Sequence, residues 1–405
     1  MVAGRRTGAR LVTSFLPRYA ALFAAILAFA SAGFLSSVPA FAQEAQVQSR
    51  VQSQSILLWD LEHDDEPALF GSLLGEIDLR STRDRAVQGR LTLQLQPVGV
   101  AVGGDPGAGA GTGGLTGGAG TGTTGPLIVT SVPRASVRFR LPVTESYTIR
   151  LTGGIDRVAW GVGRVFNAAD VIFGAEAGDG ADFFAVGGDV RDETALLTAL
   201  YLPLGAFAYV EPVVLPPLPE VNPATGALAW PPASQTRAGA RVNFELGRFT
   251  FEPGYLYTPD AHELVLSANG FVGLDVYGAA RVSMPDAETR YSAGAYHRFR
   301  IGRDASLDLR LESLFRPEHD EWVLLYPEVV LSASRTITVL ARSLVSPHAG
   351  ESQSVLGVNW AVLGGLDLLA AGILNYGSGQ SGDGGSVPGA GGASAGAILG
   401  LEYRF

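Results

Sequence analysis

The chain has 405 residues, of which 47% are apolar and only 17% charged, with 53 glycines, 23 prolines, no cysteine and no lysine. Helix-forming charged surface residues are too scarce for a mainly helical protein, and the absence of cysteine excludes a disulfide framework, thiolate metal sites and a lipid-anchored cysteine. All 29 basic residues are arginine and stand against 39 acids, so no basic nucleic-acid-binding surface is expected.

Residues 1–42 carry a basic start at Arg5, Arg6, Arg10 and Arg18, an apolar run over 19–35, and Ala40-Phe41-Ala42. With Ala40 and Ala42 as the small residues of a cleavage site, this reads as a secretory signal peptide. A retained membrane anchor is the alternative, but no stop-transfer charges follow the run. Removing those four arginines leaves 25 against the 39 acids, a net charge near −14. No later stretch reaches about eighteen uninterrupted apolar residues, so no further helical span is expected. An exported chain without disulfides needs a large core or a membrane to stabilise it.

Residues 43–54 are polar and read as a periplasmic lead-in, followed by a weak strand over 56–61. In the first clear hairpin, Leu69, Leu73, Ile77 and Leu79 share one face, and Glu76, Asp78 and Arg80 the other. Beyond a turn at 81–85, Val87, Leu91, Leu93 and Leu95 alternate with Gln88, Arg90, Thr92 and Gln94. A two-residue period marks a sheet with one apolar and one polar side, and a soluble sandwich gives it as readily as a membrane wall. Residues 99–125 form a Gly/Thr/Ala tract with almost nothing large enough to pack, hence a long loop. Val137, Phe139 and Leu141 then alternate with Arg138 and Arg140, and after a short turn Tyr147, Ile149 and Leu151 alternate with Thr148, Arg150 and Thr152. Long and short connections alternate, as in a transmembrane barrel.

The next segment contains Arg157, Trp160, Gly161, Gly163, Arg164, Phe166, Asn167 and Asp170. Gly161 and Gly163 permit a tight backbone, Trp160 and Phe166 can pin the segment to a wall, and Asn167 and Asp170 can cap turns. Two readings follow: a constriction folded into an aqueous interior, with Arg157 and Arg164 facing solute, or a structural loop clamp that touches no ligand. No Lys-Ser/Thr follows the glycines, so a phosphate cradle is dismissed. Residues 175–192 are acidic and glycine-rich without the spacing of a calcium loop, and 216–232 are too proline-rich for a ladder. From 237 onward hairpins follow quickly, with Asn269-Gly270 as the strongest hairpin signal. The literal total is about eighteen strands, within a range of about fourteen to eighteen.

The chain ends with Ala397, Leu399, Leu401, Tyr403 and Phe405 on one face of a strand, and Ile398, Gly400, Glu402 and Arg404 on the other. This pattern resembles the closing strand of bacterial outer-membrane β-barrels, with terminal Phe405 and Tyr403 and Leu401 at two-residue steps before it. The run Trp160, Gly161, Gly163, Phe166, Asn167, Asp170 resembles a Trp-Gly-x-Gly-x-x-Phe-Asn-x-x-Asp loop segment of porin-like outer-membrane proteins, with Ala168 where many relatives have proline. The resemblance implies an all-β fold, a transmembrane antiparallel up-and-down β-barrel with long outer loops and short periplasmic turns. Its domains would be the signal peptide (1–42), the lead-in (43–54) and the barrel (55–405). It implies a place in the outer membrane of a Gram-negative-type envelope, contact with outer-membrane lipid, and delivery to the barrel-assembly machinery through the C-terminal strand.

Chain parity puts Arg90, Arg138, Arg140, Arg150, Arg241, Arg298, Arg300 and Arg310 on the polar side, beside Glu76, Asp78, Glu245, Asp308 and Glu312. A barrel of about fourteen or more strands encloses water rather than a packed core. Arg138, Arg140 and Arg150, with Arg157 and Arg164 nearby, then form a candidate basic ladder for small anionic solutes. The competing reading pairs these arginines with interior carboxylates and makes them wall stiffeners. The five histidines are widely spaced, without a metal motif, and no cofactor is expected. A passive channel is therefore the leading expectation, ahead of a surface-interaction barrel with a plugged lumen and an outer-membrane hydrolase.

Overall fold

A computed structural model of the chain describes residues 46–60, 68–80, 86–97, 128–144, 147–176, 191, 193–218, 220–221, 228–229, 231–319, 323–378 and 391–404. The two-residue alternation becomes a single wall. It comprises β1 (Gln46–Asp60), β2 (Ala68–Arg80), β3 (Val87–Pro97), β4 (Ile128–Pro142), β5 (Thr148–Asp156), β6 (Ala195–Pro203) and β7 (Ala208–Leu215). After a two-residue pair, β8 (Glu220–Val221) and β9 (Leu228–Ala229), it continues through β10 (Arg237–Leu246), β11 (Phe249–Tyr257), β12 (His262–Phe271), β13 (Asp275–Met284) and β14 (Glu288–Ile301). The last strands are β15 (Ala305–Phe315), β16 (Val323–Ser332), β17 (Ile337–Ser346), β18 (Glu351–Leu363), β19 (Leu366–Ser378) and β20 (Gly391–Arg404). Apart from β8 and β9, the strands form one 18-stranded sheet. Each pairs antiparallel with its neighbour in the chain, and β20 pairs with β1 from Arg50↔Arg404 to Asp60↔Ser394. The sheet is therefore a closed barrel with no free edge.

Closure sorts the side chains. On the outward face Leu246 is 68% exposed, Leu356 61% and Leu399 65%, with Phe139, Leu141, Leu266, Leu311, Leu374, Leu401 and Tyr403 also exposed. On the inward face Glu252, Glu263, Glu312, Glu328, Arg342 and Glu351 are buried. A surface with exposed leucines and a covered interior of charged groups is the reverse of a water-soluble protein. The longest connections lie at one end of the barrel, although 258–261, 285–287 and 347–350 at that end are short. The 143–147, 204–207, 247–248, 272–274, 302–304, 333–336 and 364–365 turns lie at the end that carries the start of β1 and the finish of β20. The connections 157–194, 216–236 and 316–322 lie at the other.

Two expectations change. The polar residues 46–54 are no lead-in but the first half of β1, paired with β2 and β20. In this half of the strand Arg50 meets Glu402 of β20 at 2.9 Å. Asn269-Gly270 is not a turn but lies inside β12, and the chain reverses at Val272-Gly273-Leu274, where Gly273 has φ +100°. Glycine is required at 270 because a Cβ there would stand 2.5 Å from Cδ1 of Phe249 on β11. The tract 99–125 and most of the acidic segment 175–192 lie outside the described residues, as do the signal segment with Ala40 and Ala42, and Phe405.

Candidate functional site

The connection after β5 does not project away from the barrel. Residues 157–176 run across its interior, held by apolar contacts, by wall carboxylates and by turns of their own. Trp160 is fully buried, and with Ala168, Ala169, Val171 and Ile172 it packs on the inward side chains Leu197, Val213, Leu215, Leu256 and Val265 of β6, β7, β11 and β12. Val165, Phe166 and Ala175 pack on Leu314, Leu324, Tyr326, Val355, Ile373 and Ile398 of β15, β16, β18, β19 and β20. The segment thus bridges two separate inward-facing apolar patches.

Between those patches the backbone of the segment is bound by side chains of the wall. Glu312 of β15, 0% exposed, accepts three consecutive N–H bonds, from Arg164 (2.8 Å), Val165 (2.8 Å) and Phe166 (2.9 Å). The Tyr277 hydroxyl also donates to Glu312, and Arg310 lies 3.2 Å from it. Glu252 of β11 accepts from the N–H of Gly161 at 2.5 Å and from Arg241 at 3.0 Å. Ser292 Oγ accepts from the Ala168 N–H at 2.9 Å, Arg241 donates to the Ala159 carbonyl at 2.6 Å, and Arg237 to the Ile172 carbonyl at 3.1 Å. A buried carboxylate filled by backbone N–H groups is a strong, charge-assisted anchor.

The motif residues shape the segment internally. Asn167 donates Nδ2 to the Trp160 carbonyl at 2.7 Å and accepts from the Ala169 N–H at 3.2 Å. Gly161 has φ +73°, and a Cβ on Gly163 would sit 2.0 Å from the carbonyl oxygen of Phe166, so neither position tolerates a side chain. Asp170, also 0% exposed, accepts from the Phe173 N–H at 3.3 Å and faces Arg191 at 3.1 Å and Arg157 at 3.9 Å. Burial pushes its carboxyl up to about 6, against the opposing pull of Arg191, the Phe173 N–H and Arg157. Arg191 in turn donates to the carbonyls of Gly174 (2.5 Å) and Ala175 (3.4 Å).

The candidate ladder is divided by these contacts. Arg157 pairs with Glu193 at 3.2 Å, and Arg164 with Glu328 at 3.2 Å on the far wall, so both belong to the anchoring of the segment. Arg138, Arg140 and Arg150 are half-buried on the inward face of the β4–β5 hairpin, where Arg140 and Arg150 are register partners. Arg138 donates Nε to Thr152 Oγ1 at 3.2 Å, and Arg150 lies over the Tyr201 ring at 3.8 Å. Arg90 on β3 is opposite Ser136 of β4 and Arg80 of β2. Apart from the Arg157 N–H bond to Asp156 at the end of β5, the described anchors of 157–176 come from the arc β6–β20 and not from β1–β5, the arc that carries Arg90, Arg138, Arg140 and Arg150.

Sequence reading placed Glu312 on the polar side without its anchoring role and missed Glu252 altogether; the two are 148 and 91 residues from their backbone partners. A signal was nonetheless present. Strands such as 195–202 and 323–331 are apolar on both faces, which marks a sheet covered on both sides.

A closed 18-stranded antiparallel wall, apolar outside and with charged groups inside, with one connection among the described residues folded across the interior, defines a porin-like β-barrel. Its fold is similar to that of the Acinetobacter baumannii protein OccAB4, at 10% identity and a TM-score of 0.52, with 90% of this chain and 99% of that chain covered. A triple mutant of the Rhodopseudomonas blastica porin aligns at 12% identity and a TM-score of 0.43, covering 89% of this chain and 100% of that one. No known protein family and no curated protein matches the chain.

Proposed function

We propose that the protein is a passive outer-membrane channel for small solutes, with a preference for anions. The observation that carries this reading is the division of the inner wall. The infolded segment occupies the β6–β20 side, and the arc left to it is lined by Arg90, Arg138, Arg140 and Arg150. Among the described residues Arg138 and Arg150 have no carboxylate partner, whereas Arg157, Arg164, Arg191, Arg241, Arg281 and Arg310 each meet one. Arg140 and Arg150 are register partners, so this side of the hairpin gathers two positive charges on one strip of wall. The apolar exterior supports a membrane wall, and the signal-like residues 1–42 support export.

Planar bilayers under a salt gradient test this. The protein is expected to conduct with a reversal potential on the anion side, and Arg138→Ala/Arg140→Ala to move that potential toward zero. A cation-selective pore, or selectivity unchanged in the double variant, would refute the anion filter. The density of anchors on 157–176 also suits a barrel with a closed lumen meeting partners through its loops, and absence of conductance would favour that second reading.

A further inference from the structure

The short-turn end of the barrel has two unlike halves. On both, the wall itself finishes in exposed apolar residues: Leu246 at the end of β10, Ile301 at the end of β14 and Leu363 at the end of β18. One step further, in the turns, the halves part. Between β4 and β13 the turns carry Val143, Leu204, Phe207, Val272 and Leu274, with Val143 59% exposed, Leu204 62%, Phe207 67% and Val272 55%. Between β14 and β19 they read Gly302-Arg303-Asp304, Ala333-Ser334-Arg335-Thr336 and Gly364-Gly365. There Arg303, Asp304 and Arg335 are exposed, and Arg335 reaches Asp304 of the neighbouring turn at 2.9 Å.

The apolar turn residues prolong the outward face. The Val143 N–H donates to the Tyr147 carbonyl at 2.9 Å and the Leu204 N–H to the Ala208 carbonyl at 2.8 Å, so the ladder and its alternation run on to both positions. Val143 thus follows Phe139 and Leu141, which are exposed on the same face. Glu245 and Asp275, at the ends of β10 and β13 in this half, fall by the same alternation on the inward side with Arg241 and Tyr277. Among the described turn residues of this half Arg248 alone is charged, and its long apolar stem lets the guanidinium reach past a buried turn to water or phosphate. An apolar half-rim of this kind is costly in water. Arg303, Asp304 and Arg335, in contrast, are costly in hydrocarbon.

Resting on the outer-membrane reading above, we propose that the barrel sits tilted, with the turns of β4–β13 sunk among the phospholipids of the periplasmic leaflet and the turns of β14–β19 standing in water. Lipid is the occupant of the apolar half-rim because that half-rim is continuous with the lipid-facing wall above it. The charged turns set the limit on the other side. They hold their half of the rim at the water boundary while the opposite half goes deeper.

The chain has no cysteine, so single cysteines carry a spin label without background. Leu204→Cys and Val272→Cys report on the apolar half-rim. Ala333→Cys and Gly364→Cys report on the charged one, the latter where a Cβ meets nothing within 4 Å. Leu246→Cys and Ile301→Cys report on the wall above each half. Gel migration before and after heating shows that each labelled variant is folded. In vesicles of phosphatidylethanolamine and phosphatidylglycerol, collisions of the label with oxygen, which concentrates in hydrocarbon, are compared with collisions with a water-soluble nickel chelate. The ratio does not depend on the direction of insertion. Oxygen is expected to dominate at 204, 272, 246 and 301, and nickel at 333 and 364. Nickel dominance at 204 and 272, with oxygen dominant at 246 and 301, refutes the tilt and leaves the membrane wall standing. Oxygen dominance at 333 and 364 as well means a level, wholly immersed rim and also refutes it. Shielding of 204 and 272 from both reagents means that protein, a second copy included, covers the half-rim instead of lipid. Nickel dominance at every position removes the membrane reading, and the tilt with it.

Discussion

Glu312 and Asp170 are both fully buried carboxyls at the infolded segment, and their surroundings set them different tasks. Glu312 is met by three backbone N–H groups, a tyrosine hydroxyl and Arg310, so its charge is matched. Removing it in Glu312→Ala leaves those donors buried without a partner, a loss of roughly 3–5 kcal/mol by analogy with broken buried pairs. The barrel hydrogen bonds are untouched, so the expected result is a folded protein with higher and noisier single-channel conductance. Conductance identical to that of the parent would show that the segment is held by other means. Asp170 differs because burial outweighs its arginine neighbours and holds its carboxyl at about 6, above the ordinary 3.8. The folded state then binds the proton more tightly than the unfolded chain between those values. By linkage, this residue's contribution to stability is present at low pH and is lost as pH rises through about 6. Asp170→Asn, which cannot ionise, is expected to lose that dependence. The ratio of parent to variant unfolding rates in detergent should therefore rise between about pH 4 and pH 7, and a flat ratio would disprove the assignment.

At the scale of elements, the segment 157–176 is defined as much by what it excludes as by what it contacts. Gly163→Ala places a methyl where the Phe166 carbonyl lies, against backbone that cannot swing aside. It is expected to displace the three N–H groups from Glu312 and to raise conductance as Glu312→Ala does, and combining the two should add little beyond either alone, since both act on one contact. Conductance increments that add would place Gly163 in a separate role. The same segment shows what local sequence could and could not reveal. Trp160, Gly161, Gly163, Phe166, Asn167 and Asp170 stood out because their residue types announce tight turns and pinned rings. The wall residues that receive them did not, because Glu252 and Glu312 look like any inward carboxylate in an alternating strand. Parity sorted the strands well, since a two-residue period survives boundary errors. It failed at 46–54, where a run of polar residues hid a strand, and at Asn269-Gly270, where a turn signature served ring packing. Arg157 and Arg164 were separated from Arg138, Arg140 and Arg150 by contacts with Glu193 and Glu328 that lie 36 and 164 residues away.

For the whole molecule, the exterior determines the medium in which the fold can exist. Leu246, Leu266, Leu311, Leu356, Leu374, Leu399 and Leu401 are exposed around the outside of one closed wall, while Glu252, Glu263, Glu312, Glu328 and Arg342 are buried inside it. An apolar surface of that extent does not remain in water as a monomer. With residues 1–42 removed, the chain is expected to stay dispersed only in detergent or lipid. There it should migrate faster on a gel before boiling than after, because the closed wall resists surfactant until heat opens it. Closure is a specific part of this argument, since β20 joins β19 to β1 along its length. Deleting 391–405 exposes two long edges together, and the fast-migrating form is expected to vanish even though the other strands keep their sequences. A truncated chain that still shows the fast form would mean that β20 does not complete the wall. A full-length chain that is monodisperse in plain buffer would mean that its leucines face a protein core rather than lipid, and the channel would go with them.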